Sequence, residues 1–380
     1  MKSKTLVIVG TVAISVATLA LFSHTPIAPA SNFLQGASSE VEQAFIQYLA
    51  EYGKSYASKD AIPRRFEIFS RNYEMIQRHN SNPESLYKMG LNPYSDMEKH
   101  EYLHPLSVDS SDLEDAIYGE ELLGKIQLTD QDPTSVDWRL TNKLSPVPNA
   151  GLVCNSQWAF TAASAIESAM AIDQKEPFAT HQASIQYLLD CDSLDKGCAG
   201  GWPSRTYKFV QNKGYAHIKK YPFTYQGRVN LCQLMQKSDL RLVPTLRSRQ
   251  YLMIYPDMMK HFVRFQPVAV AINFPACVSN YKSGIVNQAE CQCSAENYSQ
   301  VNVDAMFLVV GYGQTLETDK EYLLCSGYWI LRSNLGEGFG ENGFMKLCIN
   351  RGRDMDNIGT CNMLVYPNLP DIGLVPPIPS

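Results

Sequence analysis

Few side chains in this chain have a type and position suited to covalent chemistry. Trp158, Ala162, Ala165, Ile166 and Ala169 recur at helical spacing behind Asn155 or Ser156, an expected N-cap, so a buried helix starts here. The residue at its mouth is Gln157, a neutral amide. Ser156 and Ser333 offer hydroxyls, but neither has an adjacent base in the sequence, and an unactivated hydroxyl is a very weak nucleophile. After residue 133 the histidines are His181, His217 and His261, for which surface or packing roles are expected. The adjacent Gly200 and Gly201 would either let another backbone approach closely or make a simple tight turn. Cys291 and Cys293, one residue apart and without a second suitably spaced pair, make a poor zinc knuckle; no metal and no cofactor is expected.

The compartment follows from the ends and from the cysteines. Lys2 and Lys4, an uncharged apolar run from Thr5 to Phe22 and the small-residue site Ala28-Pro29-Ala30 read as a signal peptide over residues 1–30, with a retained signal anchor as the alternative. All ten cysteines lie between Cys154 and Cys361, an even count that reads as a disulfide framework of the oxidising secretory route. The extracellular space or a lysosome or vacuole is the expected destination. Asn297-Tyr298-Ser299 is one glycosylation sequon. The formal charge of −5 and the lack of a Lys/Arg run argue against a nucleic-acid partner.

The elements that must position these residues fall into two halves. Residues 40–105 are helical in pattern, with Arg65, Phe69, Asn72, Ile76 and Asn80 along one helix face, and a polar, acidic linker follows at 106–132. Beyond Pro244 the pattern changes to short apolar runs such as Val268–Ile272, Met306–Val310, Tyr328–Leu331 and Phe344–Leu347, separated by Gly and Asn clusters. A helical half followed by a sheet-rich half predicts an α+β fold of two lobes with a cleft between them, over residues 133–366. The Pro-rich segment 367–380 reads as a tail laid on the surface.

Several motifs together resemble the papain family of cysteine proteases, cathepsin L-like branch. Trp158-Ala159-Phe160 with Cys154 upstream is similar to the nucleophile loop; the 65–80 helix face followed by Gly90-Leu91-Asn92-Pro93-Tyr94-Ser95-Asp96 is similar to the inhibitory propeptide, with Ala61 where its first motif usually has Glu. Pro133–Arg139 resembles the mature N-terminus, Gly197–Pro203 the substrate wall, and Asp304–Gly313 and Gly340–Gly343 the later strands and turn. The resemblance implies a papain-like fold, with a helical left lobe and a β-barrel-like right lobe behind a helical propeptide. It also implies an extended peptide or protein partner in the cleft, and Gly200, Gly201, Trp202 and Met306 as substrate contacts, with Met306 narrowing the pocket for the second substrate side chain.

Carried over residue by residue, the family's chemistry does not reappear. The nucleophile position holds Gln157, the histidine position Ala305, the orienting amide position Ser333 and the oxyanion-donor position Ala150. Cys154 cannot substitute, because the family pairs it with Cys198. The resemblance further pairs Cys191 with Cys232 and Cys361 with Cys291 or Cys293, leaving Cys325 with Cys348 and Cys277 with the remaining cysteine of the 291/293 pair. The expected protein is a monomeric, non-catalytic homologue that keeps its own propeptide and a peptide-binding cleft. The alternatives are an active cysteine endopeptidase with an unusual site, an inhibitor of cathepsin L-like proteases acting through its propeptide, and a structural or storage protein.

Overall fold

The computed structural model describes residues 39–103, 106, 108–126, 128–129, 132–151, 154–224, 229–233, 235–350 and 357–377; the expected signal segment lies outside them, as do the last three residues. Among the described residues no helix is long and apolar enough to cross a membrane.

The N-terminal region is built on α1 (Ser39–Glu51) and α2 (Ala61–Asn80). Phe66, Phe69 and Ile76 of α2 turn inward, and Val41, Phe45, Tyr48, Phe66 and Phe69 form a small apolar core of their own. The polar members of the same face tie down the chain that follows. Arg65 grips Glu101 with two bonds of 2.8 Å, Asn72 Nδ2 donates to the carbonyl of Ser95, and Asn80 exchanges two bonds with the backbone of Met89. After α2 come β1 (Tyr87–Met89), α3 (Lys99–Tyr102) and α4 (Ser110–Leu113), then β2 (Ile117–Tyr118).

The larger part follows with β3 (Val136–Asp137), then α5 (Gln157–Asp173), α6 (Ile185–Cys191) and α7 (Pro203–Lys213), which make the helical lobe. Fifteen of the seventeen residues of α5 are buried, so its sequence is apolar or small all round rather than striped. The short pair β4 (Tyr215–Ala216) and β5 (Leu240–Arg241) closes that lobe. Then come β6 (Arg247–Leu252), α8 (Pro256–Val263), β7 (Val268–Ile272), α9 (Ala276–Ser279), β8 (Tyr281–Gly284), α10 (Gln288–Cys291), β9 (Ala305–Gln314), β10 (Cys325–Arg332), β11 (Phe344–Asn350) and β12 (Asn368–Asp371). The main sheet runs β11-β10-β9-β7-β12-β6-β2.

Strand β9 separates the two cores. Ala305, Phe307 and Val309 face the sheet-lobe core, whereas Met306, Leu308 and Val310 face the core shared with α5. Five disulfides fix the loops: Cys154–Cys198, Cys191–Cys232, Cys277–Cys291, Cys293–Cys361 and Cys325–Cys348. Cys154–Cys198 spans 44 residues of sequence. Closing a loop of that length in the unfolded chain is worth about 4 kcal/mol in the chain-entropy description. The sulfurs of Cys291, Cys293 and Cys361 lie within 4.8 Å of one another, and of the two candidates it is Cys293 that bonds Cys361. Since all three are in disulfides, none offers a thiolate to a metal.

Two expectations need correction. The 106–132 segment is not a loose linker: it carries α4 and β2, β2 pairs in parallel with β6, and Leu122 and Ile126 enter the sheet-lobe core. Its acidic residues suggested solvent, but the apolar residues between them decide the packing. The segment Asn368–Asp371 is likewise not a surface tail. It forms β12, hydrogen-bonded between β6 and β7, with Leu369 fully buried.

The N-terminal region depends on one buried carboxylate. Asp96 accepts from Tyr48, Lys54 and Tyr56 at 2.6–2.7 Å. Burial pushes its carboxyl up, but the bonds from Lys54, Tyr48 and Tyr56 outweigh that and hold it below the usual aspartate value. A depressed carboxylate contributes stability that is complete above its unfolded value, about 3.9, and is lost as pH falls through its folded value. Hydrogen exchange across α1 and α2 is therefore expected to stay slow down to about pH 4 and to accelerate below it. Asp96→Ala is expected to exchange fast already near neutral pH.

Candidate functional site

The site is built where the N-terminus of α5 meets β9. Ser156 occupies the N-cap position, but its hydroxyl donates to the carbonyls of Cys154 and Ala150 instead of capping the first turn. Gln157 is thereby aimed across the lobe boundary. Its Oε1 accepts from the backbone N–H of Met306 at 3.0 Å. Asn334 Nδ2 donates to the carbonyl of the same Met306 at 3.0 Å and to the hydroxyl of Thr161 at 2.8 Å. Two side-chain amides thus hold both backbone groups of Met306 and fasten α5, β9 and the loop after β10 into one knot.

The four singled-out positions converge here. Ala305, almost wholly buried, precedes Met306 and pairs with Ile272 of β7. Ala150 donates its N–H to the carbonyl of Asn334 at 2.9 Å. Ser333 is fully buried; its N–H donates to the carbonyl of Gly343, and its hydroxyl accepts from the N–H of Leu335. Gln157, Ala150, Ala305 and Ser333 therefore occupy one locality and include no thiol, imidazole or carboxylate. Asp304, beside them, faces Lys99 of the N-terminal region in an ion pair. The contact of the Asn334 amide with the Met306 carbonyl becomes visible only when β9 and the loop after β10 are adjacent in space.

The three histidines lie elsewhere. His181 is fully buried after a short turn of helix, His217 follows β4, and the His261 ring on α8 packs against Phe262 and Phe265. Burial pushes all three imidazoles below the usual histidine value. Among the described residues none of them hydrogen-bonds to positions 157, 305, 333 or 334.

The expected substrate contacts separate into two kinds. Gly200 adopts φ +117°, and with Gly201 it lines a pocket of about 40 Å³ beside Asn155, Lys196 and Arg205, with Leu106 and Asp109 of the N-terminal region also in its lining. Gly201 is required from within: a Cβ there would come 2.5 Å from the Trp158 ring. Trp202 does not face the cleft. Its ring is fully buried, donates to Gln250 at 3.1 Å and stacks edge-on against Tyr366, so its place on the substrate wall is corrected. Met306 is nearly as buried, with its side chain in the core shared with α5, so it does not narrow an open pocket as expected.

The N-terminal region covers this locality. Tyr94 donates to the carbonyl of Leu335 at 2.9 Å, Asn92 to that of Ser279 at 2.7 Å, and β1 adds antiparallel to β8. Glu290 accepts from the N–H of Leu86 at 2.9 Å and from the hydroxyl of Ser85. Lys99 pairs with Asp304, and Asp109 lies near Lys196, beside Gly200, so described residues of this region reach both lobes.

Removing an amide of the knot leaves buried groups without partners. Asn334→Ala is expected to cost about 1–3 kcal/mol, the usual range for an orphaned buried carbonyl, seen as a lower denaturant midpoint with an unchanged slope. An unshifted midpoint would show that water replaces the amide without loss.

Comparison with known proteins gives a consistent result. The description "papain family cysteine protease" matches residues 132–368, and "cathepsin propeptide inhibitor domain (I29)" matches residues 45–102. The chain is 30% identical over 340 residues to the probable cysteine protease RDL3 of Arabidopsis thaliana, covering 87% of this chain and 82% of that one. It is 29% identical over 329 residues to pro-cathepsin H of Mus musculus, covering 86% and 90%. Among solved structures, digestive procathepsin L2 from Tenebrio molitor larval midgut superposes with a TM-score of 0.69 at 26% identity, covering 87% of this chain and 99% of that one.

Proposed function

We propose that this chain, which belongs to the papain family of cysteine proteases and carries a cathepsin propeptide domain ahead of the protease domain, holds polypeptide in its cleft without cutting it. A peptidase of this type needs a thiolate nucleophile, an imidazole to activate it, an amide to orient the imidazole and a donor for the oxyanion. The observation that carries the reading is the composition of one small volume. Gln157, Ala305, Ser333 and Ala150 fill the corresponding positions, and the Gln157 and Asn334 amides bind the backbone of Met306. Loss of a single triad member typically removes about 10⁴ to 10⁶ in rate, and here every member is replaced.

The scaffold around this volume supports retention of a binding role. The Gly200–Gly201 wall lines a pocket that Leu106 and Asp109 of the chain's own N-terminal region line as well. Such a protein has no means of removing that region by itself and keeps it unless another protease cuts within the 107–132 segment. Five disulfides and the exposed Asn297 sequon support passage through the secretory route, with Asn297 as a glycan acceptor.

The test is peptidase activity of the secreted protein beside an Ala150→Gln/Gln157→Cys/Ala305→His/Ser333→Asn variant, both assayed after the 107–132 segment has been cut in trans. The wild type is expected to be silent and the fourfold variant to cut peptides. Cleavage by the wild type would overturn the reading.

A further inference from the structure

The acidic segment after α3 lies on a basic row of the helical lobe. Asp109, Asp112 and Asp115 are spaced by three, as are Arg205 and Lys208 on α7. Arg205 Nε approaches Asp112 Oδ1 at 2.8 Å and its Nη2 donates to Oδ2 at 3.1 Å, with the Asp112 side chain almost wholly buried. Asp109 lies 3.9 Å from Lys196 and 4.0 Å from Arg205, and Lys208 donates to Asp115 at 2.9 Å. The row begins at the Gly200–Gly201 wall, where Asn155, itself 8% exposed, keeps its side-chain carbonyl unpartnered beside the pocket.

We propose that this row, running from the Gly200–Gly201 wall along α7, is a docking surface for an acidic polypeptide with carboxylates three residues apart, and that residues 106–118 are its occupant in the uncut chain. The inference rests on the peptide-holding role proposed above and names the class of peptide. Charge complementarity carries it: three cations on one lobe face three carboxylates on a segment that the lobe does not itself contain. The remaining neighbour of Arg205 is Asp195 at 3.4 Å, whose carboxyl is pushed up by burial and by the adjacent Asp192, so it competes poorly for the guanidinium. Burial pushes the Asp112 carboxyl up as well, so desolvation offsets part of that pair's gain. Selectivity therefore belongs to the row, not to one contact.

The experiment uses the full chain with Asp109→Lys/Asp112→Lys/Asp115→Lys, which turns the resident segment against the row. Hydrogen exchange should accelerate across residues 106–118 while α5 and β9 stay protected. No release on reversal would show that charge does not hold the segment and would overturn the proposal. A labelled synthetic peptide of residues 106–118 is then titrated by fluorescence anisotropy, beside the same peptide with Asn at the three Asp positions. The acidic peptide is expected to bind about tenfold more tightly at low salt, and the preference should fade as salt rises. Adding Arg205→Glu should abolish the preference; Lys196→Ala/Lys208→Ala, at two more exposed side chains, should reduce it if the first variant folds poorly. Equal binding of the two peptides, or no binding of either, overturns the proposal. Mass spectrometry of the same mixtures reads any cleavage separately, so failure of the non-catalytic reading is distinguished from failure of the acidic preference.

Discussion

The two amides that hold the backbone of Met306 are the contact on which the arrangement of the lobes depends. Strand β9 separates the sheet-lobe core from the core of α5, and its first residues end at the mouth of that helix. A buried N–H and a buried carbonyl at such a junction must find partners, because leaving either unmade costs more than an average hydrogen bond contributes. Gln157 and Asn334 supply those partners from opposite sides of the boundary. Both backbone groups of Met306 thus have side-chain amide partners, a state that favours rigidity over reaction.

The N-terminal region is integrated to a similar degree. It has its own aromatic core and an ionic centre at Asp96, but Ile76, Tyr87, Met89, Tyr94, Tyr102, Leu122 and Ile126 all enter the core of the sheet lobe. The parallel pairing of β2 with β6 covers the edge of the main sheet, which would otherwise present unpaired backbone groups. A segment that completes a sheet and a core behaves as part of the fold. Its contacts at Lys99 and Asp109 then reach both lobes without any chemical step.

Much of this organisation was legible in the chain. The helix face of Arg65, Phe69, Asn72, Ile76 and Asn80 follows from a period of 3.6, and each of these residues makes the contact its type suggests, apolar ones inward and amides to neighbouring backbone. The buried helix behind Gln157 and the short strands of the second half could be read because periodicity and β-branched runs report on local burial. The residue types at 150, 157, 305 and 333 likewise excluded a thiolate and an imidazole from that place, since no packing can supply a functional group that a side chain lacks.

Tertiary structure decided what depends on distance through space. Trp202 reads as a wall residue beside two glycines, but its ring turns into the core because Gln250 and Tyr366, far off in sequence, offer a donor's partner and an aromatic edge. Residues 106–132 read as a polar linker and 367–380 as a Pro-rich tail, but Ile117–Tyr118 and Asn368–Asp371 pair with β6, far from the first of them in sequence. Cys361 had two candidates in sequence, Cys291 and Cys293, and only the approach of the loops selects Cys293. Asn334 acquires its role in the same way, because a hydrogen bond requires an approach of about 3 Å, and sequence separation carries no information about that distance.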